Sequence, residues 1–289
     1  GLQMSGQIGI PEAALFRADD FQAGGEGSGY VPTNVPGVIE ALRAPTMIET
    51  LGATTINGAT GNLKFPRVSA KAIATEETEV SADADSTMAM DELTLSPVRV
   101  ANKTLFSKQL ILQGGSQVDT LIARELTNGI NTTIDKAAFA KIVAGVSAVT
   151  PVNAAGGALA PADLFAMEKA VIAAGGNMSN GKWAMSPIGW QISRDLATVD
   201  SIDAFWSGQA FDGFPAVATP NVPTGTVATG DLIFGDFAAG LVLAYFGGLD
   251  LLVDPYSNAG TAQIALHLNK FYDAEVRQAG AFSRITNVI

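Results

Sequence analysis

The sequence predicts an α+β protein, and three observations carry that reading. Val118, Ile122, Leu126, Ile130, Ile134, Ala138 and Ile142 recur every four residues, the spacing of one helix face. Two runs with period-2 alternation, Leu63 to Val68 and Leu93 to Val100, flank a stretch with too few large apolar residues to build a core. Later, Leu232-Ile233-Phe234 and Gly240 to Phe246 read as buried strands. The 289 residues are 47% hydrophobic and only 16% charged, so the chain can bury a real core and disorder is disfavoured.

In chain order, residues 1–37 are rich in Gly and Pro. Gly24-Gly25-Glu26-Gly27-Ser28-Gly29 is flexible, while Pro32 and Pro36 stiffen the chain beyond it, which predicts an extended arm. The glycine run has no preceding strand, following helix or Gly-Lys-Ser/Thr, so it is not a phosphate-cradling loop. A short helix fits Val38 to Leu42, stopped before Pro45. The alternating runs predict a long two-stranded protrusion. Ala72 to Val98 carries seven acids (Glu76, Glu77, Glu79, Asp83, Asp85, Asp91, Glu92) and no base, so its tip is acidic. An isolated hairpin is marginal in water, and this one is expected to lie on another surface, such as a second subunit.

Ser116 with Asp119, after the Gly114-Gly115 break, resembles a capping box opening the long helix, which Gly145 and Pro151 end. A helix of nearly thirty residues is about 40 Å long, and its stripe needs something packed along it. Pro161-Ala162-Asp163 opens a second helix carrying Leu164, Met167, Val171 and Ile172, and Gly175-Gly176 stops it. Trp183-Ala184-Met185 reads as a buried strand and Pro187 to Leu196 as another helix. Leu249 to Val253 reads as buried strand, and Ile264 to Leu268 and Glu275 to Phe282 alternate as exposed strands do.

The chemistry-bearing residues are sparse. Acids outnumber bases 28 to 17, and a net charge of −11 repels phosphate, which argues against gripping nucleic acid by counterion release. The absence of Cys removes disulfides, thiolate catalysis and Cys-ligated zinc. His267, the single imidazole, sits opposite in phase to Leu266 and Leu268 and reads as a surface or interface residue. Asp250 and Asp254 read as strand-edge charges, Asp231 and Asp236 as strand-end turn residues, and Trp183, Trp190 and Trp206 as packing residues. No catalytic residue, cofactor or metal site is expected. The uncharged run Ile142 to Ala162 is interrupted by Pro151, Gly156-Gly157 and Pro161, so no membrane segment is expected. Gly1-Leu2-Gln3-Met4 lacks a basic n-region, which excludes a signal peptide there, and the Gly start suggests a trimmed chain.

The order of parts resembles the major capsid protein of tailed bacteriophages, with the Hong Kong 97-type fold. The resemblance rests on arm, acidic hairpin, spine-like helix, α/β region and strand-rich C-terminus. It also rests on local patterns: Gly213-Phe214-Pro215-Ala216-Val217 with Asn221-Val222-Pro223, Ile233-Phe234-Gly235-Asp236-Phe237, Leu251 to Tyr256, and Val276 to Phe282. It implies an N-arm at 1–58, an E-loop at 59–104, a peripheral domain at 105–150 and 256–278, and an axial domain at 151–255 and 279–289. It further implies pentamers and hexamers of this chain forming an icosahedral shell around double-stranded DNA contacted non-specifically. It implies, too, a portal, a scaffold and a maturation protease as partners during assembly in the host cytoplasm, with room for a decoration protein. E-loops and N-arms overlap neighbouring subunits in that family, which accounts for the unsupported hairpin and the uncovered helix stripe.

Some members of the family link an E-loop Lys to a peripheral-domain Asn with help from a buried Glu. Here Lys64 and Lys71 flank the loop base, the stretch Ala72 to Val98 has no Lys, and Ala262 and Asn269 fall near the Asn and Glu positions, so no crosslink is expected. The acidic tip, with Glu76, Glu77, Glu79, Asp83 and Asp85, is expected to meet Lys136, Lys141 or Arg277 of another subunit. The hairpin's own bases, Lys64, Arg67, Lys71, Arg99 and Lys103, sit at its foot, tens of ångströms away at about 3.3 Å per residue. An encapsulin-type compartment shares the fold and is the nearest alternative. A soluble α/β hydrolase acting through Asp/Glu needs perturbed carboxylates converging in a cleft, and no such cluster is visible in the sequence.

Overall fold

The computed structural model describes residues 46–72, 74, 76, 85–149, 158–199, 205–207, 209–224 and 230–288. The arm at 1–37, the short helix at 38–42 and Glu77, Glu79 and Asp83 of the acidic tip lie outside the described residues. The first half of the chain forms β1 (Thr54–Ala59), β2 (Leu63–Ala70), β3 (Ala89–Leu95), β4 (Val98–Ser107) and the helix α1 (Lys108–Gly145). Next come α2 (Pro161–Ala173), β5 (Lys182–Met185), α3 (Pro187–Val199), β6 (Trp206–Ser207), β7 (Ala210–Phe211) and β8 (Phe214–Ala218). The remainder forms β9 (Gly230–Gly235), α4 (Phe237–Gly240), β10 (Leu241–Asp254), β11 (Gln263–Val276) and β12 (Phe282–Val288).

The four-residue stripe lies along α1, whose 38 residues span about 57 Å at 1.5 Å each. Ile122, Leu126, Ile130, Ile134, Ala138 and Ile142 are all buried. The helix starts earlier than the capping-box reading: Ser107, not Ser116, is the N-cap, and its Oγ accepts from the Leu110 amide at 3.1 Å. Gly114-Gly115 lie inside the helix. Glycine weakens a helix interior by about 1 kcal/mol relative to Ala and does not by itself break it. At the other end, the Val146 amide donates to Ile142 O at 3.0 Å, as the Gly145 stop predicts.

Opposite α1 stands a four-stranded sheet in the order β1-β10-β11-β4, with β1 parallel to β10 and the other pairs antiparallel. Leu243, Leu268, Tyr272, Ala274 and Val276 share a core with the helix stripe. Three strand readings change here. Val98 to Val100 do not continue the hairpin but begin β4, opposite Tyr272, Phe271 and Lys270. Ile264 to Leu268 lie in β11, between β10 and β4, where Ala265 and Leu268 are buried. Glu275 to Phe282 is no single strand, because residues 279–281 form a 3-10 turn between β11 and β12. The sequence offered no signal for β1, which crosses the boundary expected between 58 and 59.

A six-stranded sheet, β12-β9-β5-β8-β7-β6, holds the other main core, with buried Leu164, Met167 and Val171 of α2 contributing. Ile172 instead faces out, at 58% exposure. Trp183-Ala184-Met185 is the buried strand β5, and the Trp183 ring centroid lies 5.3 Å from Phe211 and 4.6 Å from Phe234. The Phe234-Gly235-Asp236-Phe237 pattern now has a physical reason. A Cβ on Gly235 would come within 2.2 Å of Ala281 O, so only glycine admits that approach. Asp236 caps α4 by accepting from the Ala238 and Ala239 amides at 2.9 and 3.2 Å. Phe237 packs edge-on against Phe282 at 5.1 Å. Asp231, by contrast, is not a turn residue: it is buried inside β9, where its amide donates to Ser186 Oγ at 3.0 Å.

Candidate assembly surface

The hairpin of β2 and β3 pairs in one register from Leu63 opposite Leu95 to Val68 opposite Met90, and the register shifts before Ala70 meets Ala89. Its alternation decides what each half touches. At the root, Leu93 and Leu95 are buried with Ala59, Val242, Ala244 and Phe246. The Ser96 amide, just beyond β3, donates to Asp273 Oδ2 of β11 at 2.8 Å. Farther out, Val68 of β2, Met88 just before β3 and Met90 of β3 are 51%, 51% and 68% exposed among the described residues.

Charge follows the same division. Among the described residues, two of the acids between Lys71 and Arg99 are neutralised within the hairpin: Arg67 meets Asp91 at 2.6 Å and Lys64 meets Glu92 at 2.5 Å. The Arg67 hydrogen bond holds the Asp91 carboxyl below its usual range, and Lys64 does the same for Glu92. Asp91 and Glu92 are therefore partnered within the subunit and stand apart from the five acids of the tip. Of the remaining five, Glu76 and Asp85 are described and both are exposed.

The bases expected to receive that tip lie apart. Lys141 is already in an ion pair with Glu275 of β11, and that contact raises its pKa. Lys136 is exposed on α1. Arg277 lines a cavity of about 490 Å³ together with Arg67, Lys71, Thr54 and Phe65, between the hairpin root and the four-stranded sheet. The structure thus brings three bases together at one groove, a convergence invisible in the sequence because Lys71 and Arg277 lie so far apart in it.

A second groove is apolar. Leu249 to Val253 was read as buried strand, yet Leu249, Leu251, Leu252 and Val253 are each about half exposed (49%, 51%, 57% and 52%). The positive-φ Gly247 and the register shift after Phe246 mark the point where β10 leaves the core. Its outer half pairs with β11, from Asp250 opposite Asn269 to Asp254 opposite Ala265. Leu249, Leu251 and Val253 face Ile122 and Leu126 of α1 across a cavity of about 340 Å³. Asp254 ends the strand as a turn residue, accepting from the Tyr256 and Ser257 amides at 2.9 and 3.1 Å. The Ser257 contacts depress its carboxyl to about 2. His267 stands in β11 opposite Leu252 and Lys103 and is half-buried.

The segment that follows the N-terminal 45 residues is firmly seated. Buried Asp135, in the middle of α1, accepts from the Met47 and Ile48 amides at 3.1 and 2.8 Å and from Asn221 Nδ2 at 2.7 Å. Burial pushes its carboxyl up despite these donors. Tyr245 donates to Glu49 at 2.7 Å, and Lys182 Nζ donates to Leu51 O at 2.9 Å. The sequence reading missed Asp135. An acid on the flank of an apolar helix stripe, one residue past Ile134, was the available signal.

Among the described residues no group of three or more His, Cys, Asp or Glu is placed to hold a metal ion. No helix of the described residues is long and apolar enough to cross a membrane. One carboxylate pair does converge, Glu168 with Asp212, which the sequence reading did not foresee.

Comparison with known proteins agrees with this geometry. The model of the phage capsid family matches residues 27–287. The major capsid protein of Klebsiella oxytoca phage phiKO2 is 28% identical over 142 residues, 45% of this chain and 33% of that protein. The chain thus spans about a third of the length of that curated relative. The capsid of a native GTA particle superposes with a TM-score of 0.72 at 18% identity, covering 91% of this chain and 97% of that one. A chain from a structure of Gordonia phage Cozz gives 0.63 at 19%, covering 90% and 92%. One from Microbacterium phage Oxtober96 gives 0.67 at 12%, covering 90% and 97%. The fold is the Hong Kong 97-type capsid fold.

Proposed function

The chain belongs to the phage capsid family as a structural protein of the capsid shell, and from that membership we propose that copies of it close into an icosahedral shell. The shell consists of pentamers and hexamers and encloses the double-stranded DNA of a tailed phage. The observation that carries this reading is the hairpin: its root is clamped by Leu93, Leu95 and the Ser96–Asp273 bond, while its outer half exposes Val68, Met88 and Met90. A lever fixed at one end and uncovered at the other fits a neighbouring subunit. Contiguous exposed apolar surface, as along Leu249 to Val253, generally marks an interface.

In this reading the N-arm is 1–58 and the E-loop 59–104. The peripheral domain combines 105–150 with 256–278, and the axial domain combines 151–255 with 279–289. The core around Trp183 lies within the axial ranges, whereas the core along α1 also takes Ala184, Ile233, Phe237, Leu241, Leu243 and Phe282 from them. The boundary at 255/256 falls in the turn between two strands of one sheet. The acids Glu76, Glu77, Glu79, Asp83 and Asp85 meet bases of a neighbour, with Lys136 and Arg277 better placed than Lys141, which Glu275 occupies. The shell is held without Lys–Asn crosslinks and assembles in the host cytoplasm with a portal, a scaffold and a maturation protease. Analytical ultracentrifugation tests the reading: the purified chain sediments as large assemblies, and a lone 29.7 kDa species at micromolar concentration in native salt contradicts it.

A further inference from the structure

A pair of buried, donorless oxygen atoms lies away from the hairpin and both grooves, at the seam between α2 and the turn joining β7 to β8. Asp212 and Gly213 occupy that two-residue turn with φ of +50° and +77°, the geometry of a tight hairpin. The Asp212 amide donates to Phe205 O at 2.7 Å, and the Phe205 ring lies 6.2 Å from Phe165 of α2. Glu168, one turn farther along α2, meets Asp212 across this seam. Glu168 Oε1 and Asp212 Oδ2 are both shielded from solvent, and neither has a hydrogen-bond donor among the described residues.

Ionised carboxylates are acceptors only, so two of them in contact cannot satisfy each other. One proton between them supplies the missing donor and removes the repulsion. We infer that Glu168 and Asp212 form a proton-operated latch, holding α2 to the edge hairpin of the six-stranded sheet while one proton is shared and releasing it when that proton is lost. Burial first, and then Asp212, push the Glu168 carboxyl up to about 7, within reach of ordinary solution conditions. The other charges on the packed elements are Asp163 and Lys169 on α2, Asp231 on β9, Lys182 on β5, Arg194 and Asp195 on α3, and Arg284 on β12. Arg194 is stacked over Trp206 of β6 at 4.2 Å, and Arg284 Nε donates to Val146 O at 2.6 Å. In the sequence, the only charges at 200–204 are two more acids, Asp200 and Asp203.

The direction follows from linkage. A carboxyl whose pKa is higher in the closed state than in the open one stabilises closure below its ordinary value of 4.5, and the effect is lost as pH rises through about 7. The strands released are short: β6 and β7 pair over two positions, and β8 meets β5 over three. Opening is therefore local to residues 205–214.

Amide hydrogen exchange of the purified full-length protein tests this. After correction for intrinsic rates, peptides covering 205–214 should be about tenfold better protected at pH 5 than at pH 8. In Glu168→Gln the amide gives Asp212 a permanent donor, so the pH 8 protection should rise to the acid level. Asp212→Asn should behave likewise, since Asn tolerates positive φ. Equal protection of wild type at pH 5 and 8 overturns the latch, as does a pH effect spread evenly over the whole sheet or one retained in the folded variants. Should neither variant fold, the wild-type comparison alone decides.

Discussion

The Ser96 amide and Asp273 Oδ2, 177 residues apart in sequence, meet at 2.8 Å and fasten the root of the hairpin to the central strand β11. The other carboxylate oxygen takes the Ala274 amide at 2.9 Å, so buried Asp273 answers two backbone donors. Removing an acceptor from a buried donor costs about 1–3 kcal/mol. Asp273→Ala should therefore lower subunit stability by that amount in urea unfolding and raise hydrogen exchange at residues 93–98. Unchanged exchange there would show that Leu93 and Leu95 alone hold the root.

Asp135 plays the matching part for the segment after the N-terminal 45 residues. Asp135→Ala strands the Met47 and Ile48 amides and Asn221 Nδ2, and the expected loss is about 2–4 kcal/mol. Asp135→Asn keeps one acceptor and should lose less. Denaturation midpoints of the two variants in urea separate these outcomes.

How much of this was legible from sequence differs by element. The long helix was clear because its six buried stripe residues repeat at one spacing, which needs no tertiary information. Its start was not, since Gly114-Gly115 looks like a break and Ser107 looks like part of a strand; cap geometry decides that, not composition. Leu249 to Val253 read as buried because apolar runs look alike whether a second layer covers them or not. In the candidate interface, the acid-rich tip was visible as a run of charge, but the cis pairs Arg67–Asp91 and Lys64–Glu92 depend on hairpin register. The Glu168–Asp212 pair escaped for the same reason, although Asp212-Gly213 between two Phe residues is a hairpin signal in its own right.

The apolar groove gives a prediction that separates folding from assembly. Leu251 and Val253 are half exposed, so Leu251→Asp with Val253→Asp should change subunit stability by less than about 1 kcal/mol. Assembly should nevertheless fall sharply, measured by sedimentation of wild type and variant at equal concentration. Normal assembly of a folded variant would show that this face stays in water.

The acidic tip is predicted to steer register between subunits. Glu76→Lys with Glu77→Lys should leave the subunit folded by circular dichroism yet impair shell formation, and high salt should weaken the wild-type shell. A normal yield from the double variant at low salt would mark the tip as a solvated face.

The central claim is that copies of this chain build a closed shell. Negative-stain electron microscopy of the purified protein tests it most directly. The account predicts uniform, thin-walled, icosahedral particles; a field of dispersed single subunits, from protein that is folded and at micromolar concentration, would contradict it.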